Sequence, residues 1–110
     1  MNEAEKLYET LKKVQEPKGY FFSKDSKRVL ELMDALLVNK KRYGYIACPC
    51  RLACGEKPKD KDIICPCDYR ESDVEEFGSC YCNLYVSPEW NDEIIIHEYV
   101  PERRPSKKIL

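Results

Sequence analysis

Every cysteine of this 110-residue chain lies between residues 48 and 82, and six of the seven form Cys-x-Cys pairs: Cys48/Cys50, Cys65/Cys67 and Cys80/Cys82. Side chains at i and i+2 of an extended backbone project to the same side. Such a pair can reach one inorganic centre together, or bind it with one sulfur while the other lies alongside. In Cys48-Pro49-Cys50 and Cys65-Pro66-Cys67 the proline fixes its own φ, biases the preceding cysteine toward extended geometry and removes an N–H. The pattern marks a metal-binding region. A structural zinc or a [4Fe–4S] cluster takes four thiolates, which leaves two of the six over. A dithiol beside an electron-carrying cluster can form or reduce a disulfide. Spacing alone leaves open a multi-zinc site whose bridging thiolates use all six.

The rest of the composition narrows the setting. Nineteen Lys and Arg nearly balance twenty Asp and Glu, so no strong field argues for a nucleic-acid or membrane partner. The length fits one domain spanning residues 1–110. The N-terminal MNEAEKLYETLKK is charged and has no apolar run, so it does not read as a signal peptide. A cytoplasmic location is expected, where structural disulfides are rare and clustered cysteines serve metals or catalysis.

The elements that must position the cysteines begin with helices. From Glu3 to Gln15, Leu7, Leu11 and Val14 recur at helical spacing beside Tyr8, and Pro17 supplies a stop. A second helix is expected to start between Ser23 and Ser26, to bury Val29, Leu30, Met33, Leu36 and Leu37, and to end before Gly44. Past Gly44 the chain reads as loops and short helical turns. Ser72 and Glu75 form a capping-box pattern, with Gly78 as the stop that delivers the chain to Cys80. Ser87 and Pro88 suit an N-cap and first helical position. EIIIHEYV has strand character without an obvious partner, and PERRPSKKIL reads as an extended strap.

Taken in order, ACPCR, ICPCDYR and GSCYCNLYVSPE resemble the catalytic (beta) chain of ferredoxin–thioredoxin reductase, whose signature is CPC, CPC and CHC. The likeness covers roughly residues 45–88, with the two helices before it in compatible places. Here the spacers are 14 and 12 residues, the last pair is Cys80-Tyr81-Cys82, and Cys54 is additional. This points to a divergent prokaryotic member.

The resemblance implies a mainly α, small single domain with short helices and a [4Fe–4S] cluster held in the connecting loops. It implies Cys48, Cys65, Cys67 and Cys80 as cluster ligands and Cys50–Cys82 as the redox-active disulfide. Cys50 would attack the target and Cys82 would resolve the mixed disulfide. The implied partners are ferredoxin as electron donor, a thioredoxin-like protein as acceptor and, as in chloroplast relatives, a noncatalytic subunit. Tyr81 stands where the family has an acid/base histidine. A tyrosine of ordinary pKa near 10 donates a hydrogen bond but shuttles protons poorly at neutral pH.

Several residues carry two readings. His97, the only histidine, either folds back toward the site or sits on the surface. Cys54 is either a spare thiol one helical turn from Cys50 or a small buried apolar residue. Arg51 either acts as a cation beside Cys50 or pairs with an acidic neighbour. Lys57, Lys59 and Lys61 either meet an acidic ferredoxin or, interleaved with Asp60 and Asp62, form a solvated loop. Two other classes compete with the reductase: a plain iron–sulfur electron carrier and a structural zinc module for protein contacts.

Overall fold

In a computed structural model, which describes residues 1–109, helix α1 spans Glu3–Gln15. Its start is fixed locally by a capping box, since the Asn2 side chain accepts from the Glu5 N–H and the Glu5 side chain returns to the Asn2 N–H. A 3-10 turn through Pro17 ends at Gly19, whose φ of 93° is a conformation glycine adopts without penalty. Helix α2 spans Ser26–Tyr43, capped by Asp25 on the Arg28 N–H and stopped by Gly44 in the left-handed conformation. Helices α1 and α2 pack together. They bury Ala4, Leu11, Val29, Leu32, Met33 and Leu36, of which Met33 and Leu36 are wholly inaccessible. Burying the Leu, Val and Met side chains among them contributes about 1.5–3 kcal/mol each. The stripe on α1 is rotated from the one expected, because Val14 is exposed and Gln15 buried.

Short elements follow: α3 (Lys57–Asp60), α4 (Arg70–Phe77), α5 (Pro88–Asn91) and α6 (Ser106–Ile109). Strands β1 (Phe21–Phe22) and β2 (Tyr85–Val86) pair antiparallel, with Phe21 opposite Val86 and Phe22 opposite Tyr85. This small ladder ties the link between α1 and α2 to the segment just after the last cysteine pair. Single bridges join Ala47 to Ile64 and Ser79 to Val86, so the approach to each Cys-x-Cys pair is held by backbone hydrogen bonds. No helix among the described residues is long and apolar enough to cross a membrane.

Five local expectations change, the first in the tail, where Ser106–Ile109 is helical rather than extended. Helix α4 begins at Arg70 rather than after Ser72, with Tyr69 at the N-cap, because the Asp73 N–H already bonds to the Tyr69 carbonyl. The EIIIHEYV segment forms no strand: Glu93 lies in a turn, Ile95 in a bend, the Glu98 N–H bonds to the Ile96 carbonyl, and Ile94 and Ile96 face solvent. The Arg51 to Gly55 stretch is not helical, which removes the one-turn relation between Cys50 and Cys54. Asp60 and Asp62 are buried, not solvated, each being held by cations and hydroxyls brought from elsewhere in the chain.

A candidate iron–sulfur and thiol centre

The first pair is set by two cross-links: the Cys48 N–H bonds to the Ile63 carbonyl and the Cys65 N–H to the Ile46 carbonyl, both at 2.8 Å. The two CPC corners therefore lie side by side. The Cys65–Pro66 peptide is cis. The third pair sits in a tight loop, where the Cys80 N–H bonds to the Tyr85 carbonyl and the Asn83 N–H to the Cys80 carbonyl. Asn83 closes the turn at a φ of 62°, a region that asparagine tolerates better than most residues. Its side-chain amide donates to the Ser79 hydroxyl at 2.6 Å.

These loops bring Cys48, Cys65, Cys67, Cys80 and Cys82 to the wall of one cavity. Leu32, Leu84 and Tyr85 supply its apolar side, and Arg51 and Arg70 are its cations. Cys50 is not on that wall. It is exposed and opens on a separate surface groove with Tyr81, Asn83, Glu98, Tyr99 and Val100. Cys82 is buried, its sulfur 3.0 Å from that of Cys48, and it also hydrogen-bonds Cys50. Of the six pair-cysteines, five thus line the cavity, Cys82 among them, and Cys50 lies outside it.

The electrostatics cut across that placement: the hydrogen bond with Cys82 holds the Cys48 thiol below its ordinary range, against a cost of burial. Burial pushes the Cys65 thiol well above its ordinary range, and the neighbouring Cys80, Cys48 and Cys67 add to the rise. Burial likewise raises Cys67, and lifts Cys80 to about 11. Cys50 is lowered to about 7, first by the hydrogen bond from Cys82 and further by the cations Arg28 and Arg51, against a cost of burial. Cys82 moves upward because its proton serves both Cys48 and Cys50.

Crowded thiols in an apolar cavity stay protonated unless a cationic centre takes the place of their protons, which is what a bound metal core does. The cavity thiols Cys48, Cys65, Cys67, Cys80 and Cys82 therefore include as many thiolate donors as an iron–sulfur cluster takes. Among the described residues no three His, Cys, Asp or Glu side chains gather around the position of a single metal ion.

Arg51 has both of its expected neighbourhoods. Its Nε donates to both Glu102 carboxylate oxygens at 2.9 Å, and its Nη1 donates to the Cys67 sulfur at 3.3 Å. The guanidinium also lies 4.5 Å from the ring centre of Tyr81. Tyr81 is raised above its ordinary pKa, by burial first and then by Tyr99. His97 is on the surface, stacked on Trp90 at 3.7 Å between ring centres, with its Nε2 at the Trp90 carbonyl. Cys54 is exposed, and its thiol donates to the buried Asp60 carboxylate at 3.4 Å.

Sequence reasoning missed the tail's part in this site. Glu102 reaches Arg51, Arg103 pairs with Asp73 and Glu76, and Arg104 pairs with Asp62 and Asp60. The only signal was the run Glu102-Arg103-Arg104 between two prolines, which fixes no partners by itself.

A comparison with curated proteins finds none that matches this chain. A family model described as ferredoxin thioredoxin reductase catalytic beta chain matches residues 1–103, almost the whole sequence. The chain belongs to the ferredoxin thioredoxin reductase catalytic beta chain family.

Proposed function

We propose that this chain is an iron–sulfur disulfide reductase that takes single electrons from ferredoxin and reduces the disulfide of a thioredoxin-like protein, working in the cytoplasm. Cys48, Cys65, Cys67 and Cys80 would hold a [4Fe–4S] cluster, and Cys50 and Cys82 would form the cycling disulfide. The observation that carries this reading is the placement of the cysteines: five line one cavity, Cys50 opens on a surface groove, and Cys82, on the cavity wall, contacts both Cys48 and Cys50. The cluster supplies one-electron storage beside a two-electron bond.

The chain's own residues account for the exchange. Cys50 is the exposed thiol among the six pair-cysteines, and its lowered pKa leaves a substantial thiolate fraction near neutrality. Its thiolate attacks one sulfur of the target disulfide, the target S–S bond breaks, and the leaving thiolate takes a proton. Cys82 then attacks Cys50 of the mixed disulfide, which releases the reduced target and restores the Cys50–Cys82 bond. Tyr81, with its pKa raised, stays neutral and lines the groove as a hydrogen-bonding wall. Water in the open groove supplies the proton that a histidine at this place would give.

The test is the content of iron, zinc and acid-labile sulfide in anaerobically purified protein, with alkylatable thiols counted before and after reduction. About four irons and four sulfides, with thiols that appear at Cys50 and Cys82 only on reduction, is the expected result. Zinc without sulfide refutes the reading. A cluster with no reducible pair leaves a simple electron carrier.

A further inference from the structure

We infer that Arg51 is a positioning residue that sets the reduction potential of the centre, and that Glu102 of the C-terminal strap sets how strongly it does so. The inference rests on the cluster reading above. Arg51 is nearly inaccessible, with 1% of its side chain exposed, so its charge is not dissipated by solvent. The planar guanidinium is divided between two opposite demands. Its Nε edge takes both oxygens of Glu102, and its Nη1 donates to the sulfur of Cys67, with the Cys48 sulfur further off at 4.0 Å. The third nitrogen, Nη2, has no hydrogen-bond partner and faces Asp73 at 3.9 Å. Tyr69 and Tyr81 flank the guanidinium, their ring centres 5.0 and 4.5 Å from it, and hold it in place.

Hydrogen bonds to ligand sulfurs and nearby charge set the potentials of iron–sulfur clusters. A donor and a buried positive charge favour the state with the extra electron, so Arg51 raises the potential. Glu102 is an anion on the far edge of the same guanidinium and offsets part of that effect. The strap thereby acts on the centre without touching it. A merely structural ion pair has a different signature, because losing either partner would loosen the same contact and move the centre in the same direction.

The experiment measures the midpoint potential of the cluster by anaerobic titration of the full chain, in wild type and in Arg51→Gln, Arg51→Lys and Glu102→Gln, with iron and sulfide counted in each sample. In Arg51→Gln the reduced fraction at a fixed poise should fall about tenfold relative to oxidised, about 59 mV for a one-electron couple. Arg51→Lys should fall less, because it keeps the charge and loses the fork. Glu102→Gln should move the opposite way. Where Arg51→Gln does not retain iron, the opposed shifts of Arg51→Lys and Glu102→Gln decide the matter. Shifts below about threefold, or of the same sign for both positions, overturn the inference while the cluster reading stands. A wild-type chain without iron and sulfide overturns both, and the metal count tells the two failures apart.

Discussion

Replacing Asp60 by asparagine tests how the loop behind the first cysteine pair is held. The Asp60 side chain is wholly buried. Its carboxylate accepts from the Tyr45 hydroxyl, from the Cys54 N–H at 3.1 Å, from the Gly55 N–H at 3.0 Å and from the Cys54 thiol, and it faces Arg104 at 3.8 Å. An amide keeps one accepting oxygen and turns a donor toward the remaining donors. Each hydrogen bond to a charged group contributes about 1.5–3 kcal/mol. Losing two, with Arg104 left facing a neutral group, puts the cost at about 3–5 kcal/mol, the range for breaking a buried ion pair. At a urea slope near 1–2 kcal/mol/M the unfolding midpoint should fall by about 1.5–5 M, followed by far-UV circular dichroism on anaerobic protein. Asp68→Asn, at an exposed carboxylate, is the control and should stay within about 0.5 kcal/mol of wild type. The pH dependence follows from the same contacts. Burial alone would raise the Asp60 pKa, but the hydrogen bonds from Tyr45, Cys54 and Gly55 outweigh it and hold the carboxyl below its ordinary value. The stability it contributes is therefore present above the unfolded carboxylate range near 4 and is lost as pH falls through the lower folded value. Asp60→Asn should flatten that acid limb. A midpoint shift under about 0.5 M, or an unchanged acid limb, would refute the reasoning.

Gly78 stops α4 at a φ of 77°, and a Cβ there would meet the Ile95 Cδ1 at 2.5 Å. That methyl ends a side chain free to move, but the Ser87 hydroxyl that caps α5 would also lie at 3.1 Å, so Gly78→Ala should cost at least the backbone term, about 1–2 kcal/mol in thermal or urea unfolding. In the reduced native protein Cys50 and Cys54 should be alkylated first, and buried Cys48, Cys80 and Cys82 at least tenfold more slowly by peptide mapping; early labelling of Cys82 would contradict its burial. His97→Ala should lose about 0.5–1.5 kcal/mol from the Trp90 stack and leave the pH profile of disulfide reduction unchanged. A shifted profile would bring His97 into proton transfer after all.

The sequence determined what depends on neighbours along the chain. The bounds of α1 and the stop of α2 at Gly44 follow from periodicity, capping side chains and breakers within a turn of each end, so they were legible and match the structure. The ordered Cys-x-Cys pairs likewise carried the family, since their spacing is itself the signal. Tertiary structure decided what depends on residues far apart. Asp60 and Asp62 alternate with lysines and look solvated until Tyr45, Tyr69 and Arg104 cover them. Arg51 acquires Glu102 from 51 positions away, and β1 finds β2 across most of the chain. Cys54 was open between a buried and a reactive reading, because exposure is a property of what packs over a residue and not of its type. Local order costs little loop entropy and can be written in a short window. Buried charge survives only when distant partners arrive together, and no short window contains them.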